Sequence, residues 1–254
     1  QIFGAAFIEW TIMSPILQLR GLSKSFGAVT VADNLSYEIQ AGEALGIIGP
    51  NGAGKTTMFN LITGTLSPDK GEVQFLGKDV TKLSAARRCR DGMARSFQVP
   101  QPFSGMTVFE NAMIAATQAA GLYGRNAEQS CLLVLEQTGL LDKANILAGK
   151  LNLLGRKRLE LTRALCAKPK LLLLDEIAGG LTEAECGSLI QTIKDIQSRG
   201  VAIIWIEHVV HALIAVVDRL IVIDFGKKIA EGIPNDIMAS AAVQEIYLGI
   251  EADG

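Results

Sequence analysis

No two of the four cysteines, Cys89, Cys131, Cys166 and Cys186, stand in a C-x-x-C pair. The chain therefore offers neither a zinc knuckle nor a dithiol redox motif, and its thiols are expected reduced, in the core or at the surface of a cytosolic protein. The net charge is only -2, so no global field draws the chain to nucleic acid or to an anionic membrane, and a nucleic-acid partner is not expected. No apolar run reaches the roughly 20 residues that a membrane-spanning helix requires. The opening stretch 1–13 is apolar, but Glu9 interrupts it, and it lacks the basic start and small-residue cleavage site of a signal peptide. It is read as an apolar N-terminal extension outside the fold, with Met13 a candidate natural start. Any membrane role then needs a partner. What is present is globular: 254 residues, 49% hydrophobic and 20% charged, enough for one large or two small domains.

The chain is organised around Gly49-Pro50-Asn51-Gly52-Ala53-Gly54-Lys55-Thr56-Thr57. An apolar strand, Ala44 to Ile48, precedes it, and a helical pattern opens at Met58. Gly49, Gly54, Lys55 and Thr56 meet the G-x-x-x-x-G-K-[ST] spacing of a P-loop in its strand-to-helix context. Glycines let the backbone turn its N–H groups onto phosphate oxygens at the positive end of a helix. Lys55 would add a point charge on the β and γ phosphates, and the Thr56 hydroxyl suits Mg²⁺, which prefers hard oxygen ligands.

A second signal is Lys170-Leu171-Leu172-Leu173-Leu174-Asp175-Glu176. An unbroken apolar strand reads as buried on both faces, and it delivers two carboxylates at its carboxyl end, where open α/β sheets bind ligands. Asp175 is assigned to the Mg²⁺ shell and Glu176 to polarising the attacking water. The strand Val201 to Ile206 ends in Glu207 and His208, of which His208 would face the same phosphate. Alternation in Ile16–Phe26, Ser36–Ile39 and Glu72–Leu76 predicts a half-buried antiparallel sheet. Phe26 at its edge could stack on an adenine ring. Leu83 to Arg90 reads as a basic, solvated helix, and Gln98 as an amide at a strand end that reaches Mg²⁺ or the attacking water. From Thr107 to Leu141 the pattern is helical, with Leu132, Leu133 and Leu135 in its apolar set. Arg156 to Leu165 reads as a basic amphipathic helix whose Arg156-Lys157-Arg158 trio is a solvated or anion-facing surface. Leu220–Asp224 and Lys228–Gly232 form a hairpin, and a helical tail from Pro234 to Leu248 packs outside the core.

Taken in order, these residues resemble the ATP-binding cassette (ABC) ATPases over nearly the whole chain. Phe26 matches the adenine-stacking aromatic, Gly49 to Thr57 Walker A, Gln98 the Q-loop, Asp175 and Glu176 Walker B with its catalytic glutamate, Gly179-Gly180-Leu181-Thr182 the D-loop, and His208 the switch histidine. Arg95-Ser96-Phe97-Gln98, Thr107 to Asn111, Arg158-Leu159-Glu160 and Tyr247-Leu248-Gly249 are most similar to the ATPases of branched-chain amino-acid importers. Two positions depart. Ile177 replaces the usual proline after the glutamate. Leu151-Asn152-Leu153-Leu154-Gly155 stands where the family has LSGGQ, leaving Asn152 and Gly155 as the signature candidates.

The resemblance implies an α/β protein: a P-loop NTPase (RecA-like) core sheet with an antiparallel β subdomain and an inserted α-helical subdomain. The expected divisions are the extension 1–13, core with β subdomain and Walker A 14–98, helical subdomain 99–160, core with Walker B, D-loop and switch histidine 161–233, and C-terminal helix and tail 234–254. It also implies an ATPase that uses ATP and Mg²⁺ at the cytoplasmic face of the inner membrane, with Thr56, Gln98 and Asp175 near the metal. The implied partners are permease subunits, a second ATPase chain and, indirectly, a solute-binding protein. Because the signature is degenerate, the second ATPase chain is expected to differ from this one, with a homodimer as the alternative. The loop from Val99 to Tyr123, exposing Phe103 and Met106, is expected to dock on the permease. Urea, amide or lipid transport are alternatives within the family. A soluble ABC protein of translation or repair and a small-molecule P-loop kinase are alternatives outside transport; the kinase reading leaves Gln98 and His208 unexplained.

Overall fold

The computed structural model describes residues 14–248; the extension 1–13 and Gly249 of the C-terminal motif lie outside the described residues. Two sheets share the work. Strands β1 (Leu17–Phe26), β2 (Val29–Ile39), β4 (Lys70–Phe75) and the short β5 (Lys78–Asp79) form an antiparallel sheet in the order β2-β1-β4-β5. Its register pairs Leu17 with Ile39 and Phe75, and Leu19 with Tyr37 and Val73, so the alternating apolar residues share one face. That face packs on helix α1 (Lys55–Thr63) through Met58, Phe59, Leu61 and Ile62, all fully buried.

The second sheet runs β10-β9-β3-β8-β7-β6, built from β3 (Ala44–Ile48), β6 (Met93–Arg95), β7 (Leu171–Asp175), β8 (Ala202–Ile206), β9 (Arg219–Asp224) and β10 (Lys227–Gly232). All neighbours are parallel except the β9–β10 hairpin. Every residue of β3, β7 and β8 is buried, as expected of strands covered on both faces. Asp175 pairs with Ile206, and Ile206 with Ile47. This register sets the carboxyl ends of β7, β8 and β3 level. The P-loop, Glu176 and His208 therefore leave the sheet at one edge.

Helices α3 (Val108–Gln118), α4 (Gly124–Gln137) and α5 (Leu153–Cys166) pack together. The Thr107–Glu110 capping box starts α3. Their cores are small: Val108, Leu135, Leu140 and Leu159 in one cluster, and Ala112, Ala116, Cys131 and Cys166 in another. The remaining helices are α2 (Ala85–Arg90), α6 (Glu183–Ser198), α7 (Val210–Ile214), α8 (Pro234–Ala239) and α9 (Ala241–Leu248).

Four expectations are corrected. The tail does not stay outside the core, because Val243 is fully buried and packs with Ile237 among the residues under the second sheet. Leu132 and Leu133 are exposed, and only Leu135 of that set faces inward. The stretch from Val99 to Tyr123 is not one loop, since α3 lies within it, and Met106 is half-buried while Phe103 is exposed. The basic face of α2 is not simply solvated. Arg88 is buried and donates to the carbonyls of Leu61 and Ile62 at 2.8 and 2.6 Å, of Thr81 at 2.8 Å and of Leu83 at 3.1 Å. It satisfies orphan carbonyls at the end of α1, a role that needs the planar guanidinium fork. Arg88→Met leaves those acceptors buried without a donor and is expected to lower stability by about 2 kcal/mol, read as a shifted urea midpoint at constant slope.

Candidate nucleotide site

The P-loop threads a narrow passage between β2 and the β9–β10 hairpin. A Cβ on Gly49 would lie 2.0 Å from the Ile223 carbonyl oxygen, and one on Gly54, at φ +99°, 2.2 Å from that of Val31. Only glycine fits at either position. Beyond Gly54, α1 begins with no side-chain cap, so its first amides and the positive end of its dipole are left for a ligand. They line a cavity of about 410 Å³ with Val31, Asn51, Gly52, Lys55, Thr56, Thr57, Gln98 and Glu176.

Lys55 is buried, and its ammonium rests on the carbonyl oxygens of Gly49 and Pro50 at 2.6 and 2.9 Å. Burial pulls its pKa down, while the Glu176 and Asp175 carboxylates oppose that shift. A buried cation beside uncapped helix amides is a site made for an anion. The residues present thus fit a polyphosphate.

Glu176 sits one residue beyond β7 at φ +49°. His208 Nε2 lies 2.9 Å from its Oε1, and the Gln98 amide donates to its Oε2. The structure thus brings His208 and Gln98, 32 and 78 positions from Glu176 in sequence, onto its one carboxylate. A carboxylate oriented by two partners beside a phosphate site is placed to accept a proton from water.

Asp175 is nearly buried and is not in the cavity lining. Its Oδ2 takes a 2.6 Å ion pair from Arg95, whose other terminal nitrogen donates to Asn60 Oδ1 at 2.6 Å. Burial raises the Asp175 pKa and the Arg95 hydrogen bond and charge lower it. Among the described residues no group of three or more His, Cys, Asp or Glu could hold a metal unaided. One hydroxyl, Thr56, and one carboxylate, Asp175, suit an ion that keeps most of its ligands as water and phosphate, which is the habit of Mg²⁺.

Phe26 ends β1 half-exposed, outside the cavity lining, with Lys24 5.5 Å from its ring centre. Asn152 caps α5: its side-chain oxygen accepts the Gly155 amide at 2.9 Å, leaving its NH₂ group to donate. Leu153 is exposed and packs toward Gly180 of the D-loop, where a Cβ would meet it at 3.3 Å. Ile177, in the place of proline, is buried in the core. The expected basic surface on α5 is a correction. Arg156 donates to the Leu151 carbonyl at 3.0 Å, Arg158 to Ser188 at 2.7 Å, and Lys157 is buried. Arg156 stays exposed, whereas Lys157 is drawn inward to the Glu176 carbonyl and Arg158 is partly buried against Ser188.

Sequence reasoning assigned no role to Arg95, Glu207 or Lys157. Arg95 ends a strand paired in register with Leu173, two residues before Asp175, and that register is not written in the local sequence. Glu207 is buried and Lys157 comes from a distant helix, and neither has a local signal.

These features define a P-loop nucleotide-binding ATPase cassette. The family model for the ABC transporter matches residues 32–179. Over 250 residues the chain is 34% identical to the high-affinity branched-chain amino acid transport ATP-binding protein LivG of Salmonella typhimurium, covering 92% of this chain and 98% of LivG. It is 30% identical over 240 residues to the lipopolysaccharide export system ATP-binding protein LptB of Acidithiobacillus ferridurans, covering 93% and 98%. The ADP conformation of an ATP-binding cassette of an ABC transporter superposes with a TM-score of 0.85 at 30% identity, covering 93% of this chain and 99% of that one. The chain belongs to the ABC transporter family and is an ATP-binding, ATP-hydrolysing subunit.

Proposed function

We propose that this chain powers an importer of branched-chain amino acids or related small solutes, hydrolysing MgATP to drive alternating access in separate permease subunits. The observation that carries the solute class is the 34% identity to LivG along nearly the full length of both chains. Among the described residues no helix is long and apolar enough to cross a membrane, which fits a peripheral subunit held on the cytoplasmic face of the inner membrane by its permease. Lys55 and the α1 amides would bind the phosphates, Thr56, Asp175 and the Gln98 oxygen would meet Mg²⁺ or its waters, and Phe26 would stack on adenine. Glu176 would take the proton of the attacking water with His208 beside the γ phosphate. The docking surface is the exposed segment around Phe103, which Asn111 fixes by accepting the Phe103 amide at 2.9 Å and donating to its carbonyl at 3.2 Å. Held on this fixed loop, the exposed Phe103 ring would offer the permease an apolar anchor.

Identity to LptB favours a second reading, ATP supply to a lipopolysaccharide exporter. Purification of the native complex separates the two, because an importer brings down a permease pair that transports amino acids. A crosslinker placed at Phe103 is expected to capture the permease in that complex. Labelling of solvent alone would remove this segment from the interface.

A further inference from the structure

The backbone at Glu176 is left-handed, with φ +49°, a conformation that strains any residue with a Cβ and persists only when its surroundings hold it. The Glu176 amide donates to the Ile206 carbonyl at 2.8 Å. Its carbonyl accepts the Lys157 ammonium at 3.2 Å. Lys157 reaches it from α5, the helix that Asn152 caps. Behind the turn, the buried Glu207 carboxylate takes the Ala178 amide at 2.9 Å on one oxygen and the His208 and Val209 amides at 2.9 and 3.2 Å on the other. Glu207 thus ties the turn after Glu176 to the turn that carries His208. Lys157 and Glu207 are 6% and 1% exposed, and their charges attract. A buried ammonium is costly without partners; here the Glu176 carbonyl accepts it, and the Glu207 and Glu176 carboxylates attract it from beyond ion-pair distance.

We infer that Lys157 is a positioning residue for ATP hydrolysis: its ammonium holds the Glu176 carbonyl, and Glu207 behind it locks the Glu176 and His208 turns in register. Lys157 acts only through Glu176, so its loss should lower turnover without weakening nucleotide binding. It also makes the signature helix a direct mechanical contact of the general base. This rests on Glu176 being that base, and one arm of the test does not require activity.

The first arm is hydrogen exchange on the nucleotide-free chain. Lys157→Met is expected to speed exchange of the Glu176, Ala178 and His208 amides by about 10-fold, with α1 unchanged, and Lys157→Arg to restore most of the protection. The second arm is steady-state hydrolysis by the assembled complex. Lys157→Met is expected to lower kcat by about 10-fold or more while KM for ATP moves by less than about 2-fold, again with rescue by Arg. In a Glu176→Gln background the same change should cost nothing further. Unchanged exchange at the turn, faster exchange throughout the protein, an undiminished kcat, or the same loss in both backgrounds would each overturn the inference. If Lys157→Met does not fold, Lys157→Gln is read by the same outcomes. Absence of hydrolysis in the unchanged complex would fail the ATPase reading itself and leave the exchange comparison to decide.

Discussion

Glu176→Gln is expected to leave ATP binding intact and to reduce turnover by about 100-fold or more. Glutamine keeps the length and nearly the shape of the side chain, so His208 and Gln98, which flank the two Glu176 oxygens, retain a neighbour of the same size. What it loses is the basic oxygen that would accept a proton from water. Nucleotide contacts would come from Lys55 and the start of α1, which line the same cavity, and would be untouched. A binding titration and a steady-state rate on the same preparation check both halves. Near-normal turnover would remove Glu176 from the mechanism.

Lys55→Ala is expected to abolish most transport, whereas the matching lysine change in the partner ATPase costs much less. In the dimer that the family resemblance implies, each nucleotide would lie between one chain's Walker A and the other chain's signature. This chain contributes an intact Lys55, Glu176 and His208, but its signature presents Asn152, Leu153 and Leu154 in place of a serine hydroxyl and two glycine amides. The Asn152 oxygen is committed to capping α5, leaving only its NH₂ group, and Leu153 stands exposed beside it. Losing one donor aimed at developing charge costs about 3 kcal/mol, roughly 100-fold. The site that relies on this signature should therefore be the slow one. Equal losses from the two lysine changes, or full activity from this chain as a homodimer, would show that Asn152 suffices.

Much of this was legible in sequence because local physics set it. The buried stretches of β3, β8 and the four leucines of β7 can be read from unbroken apolar runs. The face shared by Leu17, Leu19, Tyr37 and Phe75 follows from alternation. The P-loop announces itself because its glycines answer to the backbone crowding found at Ile223 and Val31. What escaped were buried cations whose partners are carbonyls. Arg88 and Lys157 look like surface charges in a helical pattern, and nothing local reveals that Leu61, Ile62 or Glu176 will offer an acceptor. The Arg95–Asp175 pair joins residues 80 positions apart across a parallel strand pair, so it depends on a register that periodicity does not give. Val243 was misplaced for the same reason: the burial of a terminal helix depends on the surface it meets.

This chain is expected to bind and hydrolyse ATP through the Lys55–Glu176 half-site in order to drive a permease. This is tested most directly by the Mg²⁺-dependent ATPase rate of the native membrane complex with and without transported solute, compared with the same complex carrying Lys55→Ala. Hydrolysis is expected to rise with solute and to fall by about 100-fold or more in the variant. Hydrolysis that ignores both the solute and the loss of Lys55 would contradict it.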